Sequence, residues 1–298
     1  MYRSMKKLII RVLIGLFVLV FLGYAGGIVY LMTQETQLTF YETYGKPLRT
    51  VPPDSANLKY KSLYLKSQDG VNLSGWVVLS NKDTLVSPWL LFCHGNASDI
   101  SYPDYIERYK LFSNLGINVL TFDYRGFGES EGKPSEVGLY KDAMAVYNYL
   151  TLTRNIPPEK IIIYGHSLGT GVAIELATLV PAAAIVIEAG YQSIPEVAHQ
   201  LYPFLPVRLL KLLVKNKFIS IDKVDRIPIP KLFIHSSEDE IFDISEGRTL
   251  YEKALPPKSF LEIKGRHDPA PMESKEVFCN GLSYFLNGTT ARLMIDKP

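Results

Sequence analysis

The stretch that most restricts how this chain can fold is residues 161–171, Ile-Ile-Ile-Tyr-Gly-His-Ser-Leu-Gly-Thr-Gly. Three β-branched residues and a tyrosine make an apolar run of the kind buried on both faces of a parallel sheet. Residues 172–177, Val-Ala-Ile-Glu-Leu-Ala, read as a helix. Between strand and helix sits Gly165-His166-Ser167-Leu168-Gly169. A serine at so sharp a strand-to-helix turn is pushed out of the sheet with its hydroxyl exposed. Gly165 and Gly169 are expected because a side chain at either would collide with a neighbouring strand or helix. Leu168 then offers its backbone N–H, at the helix N-terminus, to any anion forming beside Ser167. The pentapeptide alone describes any glycine-rich turn with a surface serine. The strand before it and the helix after it make Ser167 a candidate nucleophile.

The surrounding pattern alternates in the same way. Residues 59–66 and 71–79 alternate apolar and polar around Asp69-Gly70, a hairpin signal. Short apolar strands are expected at 89–93, 118–122, 160–164, 183–187, 231–235 and 260–263, with helices at about 105–115, 135–153, 172–179, 246–255 and 275–286. Strands alternating with helices predict an α/β fold, a mostly parallel sheet with helices on both faces and the hairpin as an antiparallel edge. Residues 191–227 interrupt the alternation and are expected to form a small helical cap. Within it, residues 201–218 mix leucines with Arg208, Lys211, Lys215 and Lys217, so that they either cover the core or meet anionic lipid headgroups.

A nucleophilic serine needs a base, and the base needs an orienting acid. In this architecture the order along the chain is Ser, acid, His. His267, in Gly265-Arg266-His267-Asp268, follows the last strand on a loop and is the suitable base; His235 lies inside a strand and His199 in the insertion. The loop after 231–235 holds four acids, Glu238, Asp239, Glu240 and Asp243. Asp239 is the choice, with the two glutamates expected to point elsewhere and Asp243 to cap the next helix. The second oxyanion donor is expected on the loop after 89–93, at the N–H of Asn96, where Gly95 permits close approach. Asp123-Tyr124-Arg125-Gly126-Phe127-Gly128 reads as structural, with Asp123 as the carboxylate for Arg125. Cys93 and Cys279 fit no disulfide framework or metal-ligand spacing, and no metal or organic cofactor is called for.

Residues 12–32 are uncharged and apolar. Twenty-one residues at ~1.5 Å each span ~30 Å, the thickness of a bilayer's hydrocarbon core. Arg3, Lys6, Lys7 and Arg11 lie before it or at its start, which puts residues 1–11 in the cytoplasm and the rest across the membrane, a type II signal anchor. A cleaved signal peptide has a shorter apolar region. Setting those four cations aside from the 32 leaves 28 basic against 30 acidic residues, so the remainder carries no nucleic-acid footprint. The expected organisation is a tail (1–11), an anchor (12–32), a polar, proline-containing stalk (33–56) and a catalytic domain (57–298).

The motifs His94-Gly95-Asn96-Ala97, Asp123 to Gly128, Gly165 to Gly171, the Asp239 segment and Gly265 to Asp268 stand in an order and spacing that resembles the α/β-hydrolase superfamily. More closely, the chain is similar to membrane-anchored α/β-hydrolase-domain proteins of the bud-emergence type, themselves similar to serine aminopeptidase-like hydrolases. The resemblance covers about residues 57–286 and extends to the anchor. It implies a Ser167–Asp239–His267 triad acting on acyl compounds; the leading expectation is hydrolysis of carboxylic esters or thioesters, and the anchor places lipid-like acyl substrates of the bilayer within easier reach than soluble ones. Amide or peptide hydrolysis, or a non-catalytic membrane scaffold, are the alternative readings. The anchor lacks the N-terminal cysteine cluster of the palmitoylated, protein-depalmitoylating members, so their substrate is not carried over.

Overall fold

The computed structural model describes residues 2–40, 53–82, 87–96 and 99–295. The prolines at 47 and 52 of the expected stalk, and Ala97, lie outside the described residues.

Eight strands form one sheet: β1 (Tyr60–Lys66), β2 (Asn72–Val78), β3 (Trp89–Cys93), β4 (Asn118–Phe122), β5 (Ile161–His166), β6 (Ala184–Glu188), β7 (Lys231–Ser236) and β8 (Lys258–Ile263). Their spatial order is β1-β2-β4-β3-β5-β6-β7-β8. The β1–β2 and β2–β4 pairs are antiparallel and the rest parallel, as the hairpin and the alternation of elements predict. Nine helices accompany the sheet in the described residues: α1 (Tyr2–Phe40), α2 (Pro103–Leu115), α3 (Glu136–Asn148), α4 (Leu168–Leu179), α5 (Ile194–Leu201), α6 (Val207–Leu213), α7 (Ile244–Lys253), α8 (Ala270–Glu273) and α9 (Lys275–Ile295).

The two-residue period of a strand sends alternate side chains to opposite faces, and two cores result. Leu91, Ile163, Ile185, Ile187 and Phe233 pack with residues of α3, α4 and α7. Leu90, Phe92, Ile162, Tyr164 and Ile234 pack with residues of α2 and α9. From β3 the chain crosses outward to β4, then returns to place β5 on the other side of β3. Loops leaving the carboxyl ends of β3 and β5 therefore diverge, which opens a crevice above those ends.

Insertion 191–227 contributes α5 and α6, the expected helical cap. α1 departs from expectation. The helix does not end with the apolar run but continues to Phe40, and its last turns pack on the sheet domain, where Phe40 is fully buried. The polar composition of residues 33–40 suggested a stalk; the packed side chains are spaced as one face of a helix.

Candidate active site

The turn between β5 and α4 holds Ser167 at φ +52°, ψ −124°, a region L-residues other than glycine rarely occupy. Surrounding bonds impose it. Ser167 N–H donates to the Glu188 carbonyl (3.0 Å), and the Ser167 carbonyl accepts from Thr170 N–H (2.9 Å) and Thr170 Oγ1 (2.7 Å). The glycines are required by close approach. A Cβ on Gly169 would lie 2.1 Å from the Cys93 carbonyl oxygen, and one on Gly165 would lie 2.6 Å from the Gly169 carbonyl oxygen.

His267 reaches Ser167 from the loop after β8. Its Nε2 lies 2.8 Å from Ser167 Oγ, and its Nδ1 lies 2.8 and 2.9 Å from the two oxygens of Asp239, on the loop after β7. Asp239 Oδ1 also accepts from Ile241 N–H (2.9 Å) and Phe242 N–H (2.8 Å). Burial pushes the Asp239 carboxyl up, but the bond and charge of His267 and the two backbone donors outweigh it, holding the group below the usual carboxylate range. An ionised Asp239 keeps a proton on Nδ1 and leaves the Nε2 lone pair for the serine hydroxyl.

Two of the other acids are not idle. Glu240 accepts from His267 N–H (2.9 Å) and Glu238 from Gly265 N–H (3.1 Å). β7 and β8 are neighbours, so their following loops run side by side, and loop N–H groups past the ladder need acceptors. Asp243 does cap α7, accepting from Ser245 N–H. Asp123 is not the partner of Arg125. Arg125 binds Asp142 on α3 and Asp69 in the β1–β2 turn, whereas Asp123 accepts from Ile100 N–H at 2.9 Å.

The loop after β3 comes to the same place. Gly95 lies so close that a Cβ on it would be 3.1 Å from Ser167 Cβ and 2.8 Å from Tyr105 Oη. Asn96, Leu168, Ser167 and His267 line one cavity of about 750 Å³, within the size range of small-molecule sites. Leu168 is the first residue of α4, so its N–H has no acceptor inside the helix. The Asn96 side chain donates to the Thr39 carbonyl of α1 at 2.8 Å. A second cavity, of about 900 Å³, lies against β8 and α9 and, among the described residues, is lined by no histidine, carboxylate or cysteine.

Beneath Ser167 lies a network with no signal in the sequence. Arg108 of α2 is fully buried and paired with Glu188 at the end of β6; Tyr164 also donates to Glu188, and Arg108 donates to the Asp268 carbonyl. Desolvation opposes the Arg108 charge, but the Glu188 carboxylate raises its pKa well above the ordinary value. The pair thus joins α2, β5 and β6 to the residue after His267. His166, His267 and Asp268 bring three potential metal-ligand atoms within 4.8 Å, yet both His267 nitrogens already serve Ser167 and Asp239. Burial lowers the pKa of His166 and lowers that of His94 to about 4, so both rings are neutral at pH 7.

Comparison with known proteins gives a consistent picture. The α/β hydrolase fold family matches residues 88–201. The α/β hydrolase domain-containing protein WAV2 of Arabidopsis thaliana is 30% identical over 280 residues, 87% of this chain and 90% of its own. Lysophosphatidylserine lipase ABHD12 of Danio rerio is 32% identical over 239 residues, 70% of this chain and 62% of its own. Among solved structures, the Pyrococcus furiosus esterase Pf2001 aligns with a TM-score of 0.65 over 81% of this chain and 98% of its own, at 24% identity, a likeness of fold.

Proposed function

We propose, given that this chain belongs to the α/β-hydrolase family, that it is a membrane-anchored serine hydrolase cleaving carboxylic esters or thioesters of lipid-like acids. The observation that carries this reading is the unbroken line of bonds from Asp239 through His267 to the Oγ of a serine held at positive φ. Esterase and lipase relatives support ester hydrolysis. The cavity beside Ser167 is lined largely by leucine, valine, isoleucine and aromatic side chains, which suits an apolar acyl group better than a peptide.

In this reading His267 Nε2 takes the Ser167 proton as Oγ attacks the substrate carbonyl. Asp239 stabilises the imidazolium without itself becoming protonated. The negative charge formed on the carbonyl oxygen is met by the N–H groups of Leu168 and Asn96, each such donor being worth roughly 3 kcal/mol in the transition state. The alcohol or thiol leaves with the proton from His267. Water, deprotonated by the same nitrogen, then attacks the acyl-enzyme and releases the acid, restoring Ser167.

α1 is long and apolar enough to cross a membrane. Its middle is exposed on every side, with Phe17 at 71% and Val20 at 70%, an arrangement that suits lipid rather than water. With the cationic tail cytoplasmic, the domain from residue 57 onward faces the far side.

The reading is tested by labelling the full chain with a fluorophosphonate. Adduct on Ser167, lost in Ser167→Ala, is expected. Asp239→Asn should reduce ester turnover by about 10³–10⁴-fold, whereas Asp243→Asn, which only caps α7, should not. Wild-type protein that takes up no label would overturn the enzyme reading.

A further inference from the structure

The catalytic cavity is not built by the hydrolase domain alone. Its wall includes Leu31, Glu35, Leu38 and Thr39 of α1, facing Val197, Leu201, Leu205 and Leu210 of the cap across the space that holds Ser167 and His267. Residues 31, 35 and 38 stand four and three apart, so they form a single stripe of the helix.

The stripe is fastened. Glu35 is 6% exposed, and its Oε1 accepts from Asn216 N–H (2.9 Å), Asn216 Nδ2 (3.1 Å) and Lys215 N–H (3.2 Å). The Thr39 carbonyl accepts from Asn96, the residue whose N–H is assigned to the oxyanion. Phe40 fits edge-on between Phe127 and Phe218, with ring centroids 6.4 and 6.1 Å away. A tether would need none of these contacts. Asn216 takes both the Glu35 carboxylate and, through its own Oδ1, Glu136 N–H at the start of α3, so the end of α1 is locked to the cap and to the sheet domain at once.

Depth follows from the same residues. Leu31 belongs to the apolar run of α1 and also lines the cavity. From Leu31 to Thr39 the helix rises only ~12 Å. The headgroup layer outside the hydrocarbon core is itself ~5–8 Å thick on each side. The cavity wall therefore begins in the apolar run of α1, spans a length of helix equal to the headgroup layer and extends past it. Around it the cap exposes Leu201 (70%), Phe204 (65%) and Leu212 (81%) beside the exposed cations Arg208 and Lys215, a surface that fits headgroups and the upper acyl chains of a bilayer.

We infer that the membrane helix is part of the acyl-binding site: the substrate is a bilayer-resident acyl ester whose chain runs between Leu31 and Leu38 of α1 and the leucines of the cap, reaching Ser167 sideways from the membrane. This rests on the serine hydrolase reading above. It adds a substrate class, an amphiphile held in the membrane, and a specificity role for α1.

The test uses the full chain in phosphatidylcholine nanodiscs and alkyl fluorophosphonates of increasing chain length, each with a photoreactive diazirine on its last carbon. The phosphonate reports on Ser167 and the diazirine on where the chain lies. Adduct on Ser167 with photo-crosslinks in the 30–39 segment for the longer chains is the expected result. Adduct on Ser167 with crosslinks confined to the cap or the sheet domain overturns the inference while sparing the enzyme reading. Absence of the adduct in wild type overturns both. Independently, Leu38→Trp should lower the ratio of hexadecanoyl to acetyl ester hydrolysis by about tenfold or more; an unchanged ratio contradicts the inference.

Discussion

Among the described residues two arginines are buried, and they do different work. Arg125, after β4, is bound by Asp142 of α3 and Asp69 of the β1–β2 turn, with a further bond to Ser67. It fastens the N-terminal hairpin to the sheet, away from the cavity. Arg108, in α2, sits on the floor beneath Ser167, where Glu188 neutralises it and the Asp268 carbonyl accepts from its Nη2. Arg108 and Glu188 are almost wholly buried, whereas Asp69 keeps part of its surface in water, and neither cluster is strong grounds for stability by itself. The difference lies in what hangs on the acceptor. Asp142 supports a turn. Glu188 supports the turn that holds Ser167 through its backbone carbonyl and, through Arg108, the loop that holds His267.

The largest separation between the two should come from Glu188→Gln. It leaves Arg108 buried and short of charge, with an expected loss of roughly 3–5 kcal/mol. It also lets Ser167 and His267 drift apart, which at about 1 Å reduces turnover about 10²-fold. Turnover per folded molecule, measured beside a melting curve, checks both halves. Asp142→Asn leaves Arg125 its second carboxylate in Asp69 and should destabilise by less, roughly 1–3 kcal/mol, a fall in Tm of several degrees, with turnover per folded molecule retained. If Asp142→Asn reduced turnover as much as Glu188→Gln, the contrast between floor and clasp would be broken.

Acid sharpens the same contrast. His94, His166 and His235 stand on the cavity side, and burial holds all three below the free value of 6.5, His94 at about 4. As pH falls the unfolded chain gains these protons before the folded one does. Stability is therefore full above about pH 6.5 and drains between there and about pH 4, by roughly 3 kcal/mol for His94 alone. His94→Phe should flatten the slope of Tm against pH over that window, and the Arg125 clasp, which contains no histidine, should leave it unchanged.

The smallest expected effect is a gain. Ser167 occupies its positive φ at an expected penalty of about 1–3 kcal/mol. Ser167→Gly should abolish turnover and raise Tm by a few degrees, as differential scanning calorimetry would register. Ser167→Ala, which keeps a Cβ in the strained backbone, should not share the gain.

What the sequence made legible follows from locality. Ser167, Asp239 and His267 each follow a strand whose apolar pattern is unmistakable, and the hydrolase topology brings the ends of those strands together. Asp123 seemed the partner of Arg125 because it is two residues away, but the backbone turn at Gly126 aims the guanidinium at α3, seventeen residues on. Glu238 and Glu240 looked like bystanders because spacing does not reveal that the β7 and β8 loops run alongside each other. The Arg108–Glu188 pair joins residues eighty positions apart and has no motif. Residues 33–40 misled for another reason: Glu35 is polar because it binds the cap, not because it faces water, and Thr39 meets Asn96 through its backbone carbonyl.

α1 carries one more consequence. It runs without interruption from Tyr2 to Phe40, and an unbroken helix fixes a bearing as well as a distance. Each residue turns it by about 100° and lifts it by ~1.5 Å. One residue inserted between the apolar run and Glu35 would scarcely change the distance of the cavity along the axis of α1, yet it would swing Glu35, Thr39 and Phe40 out of register with their partners. Four inserted residues would nearly restore the bearing while raising the cavity by ~6 Å. The rotational phase of α1 is thus coupled to the cavity that holds Ser167, through the contacts of Glu35, Thr39 and Phe40.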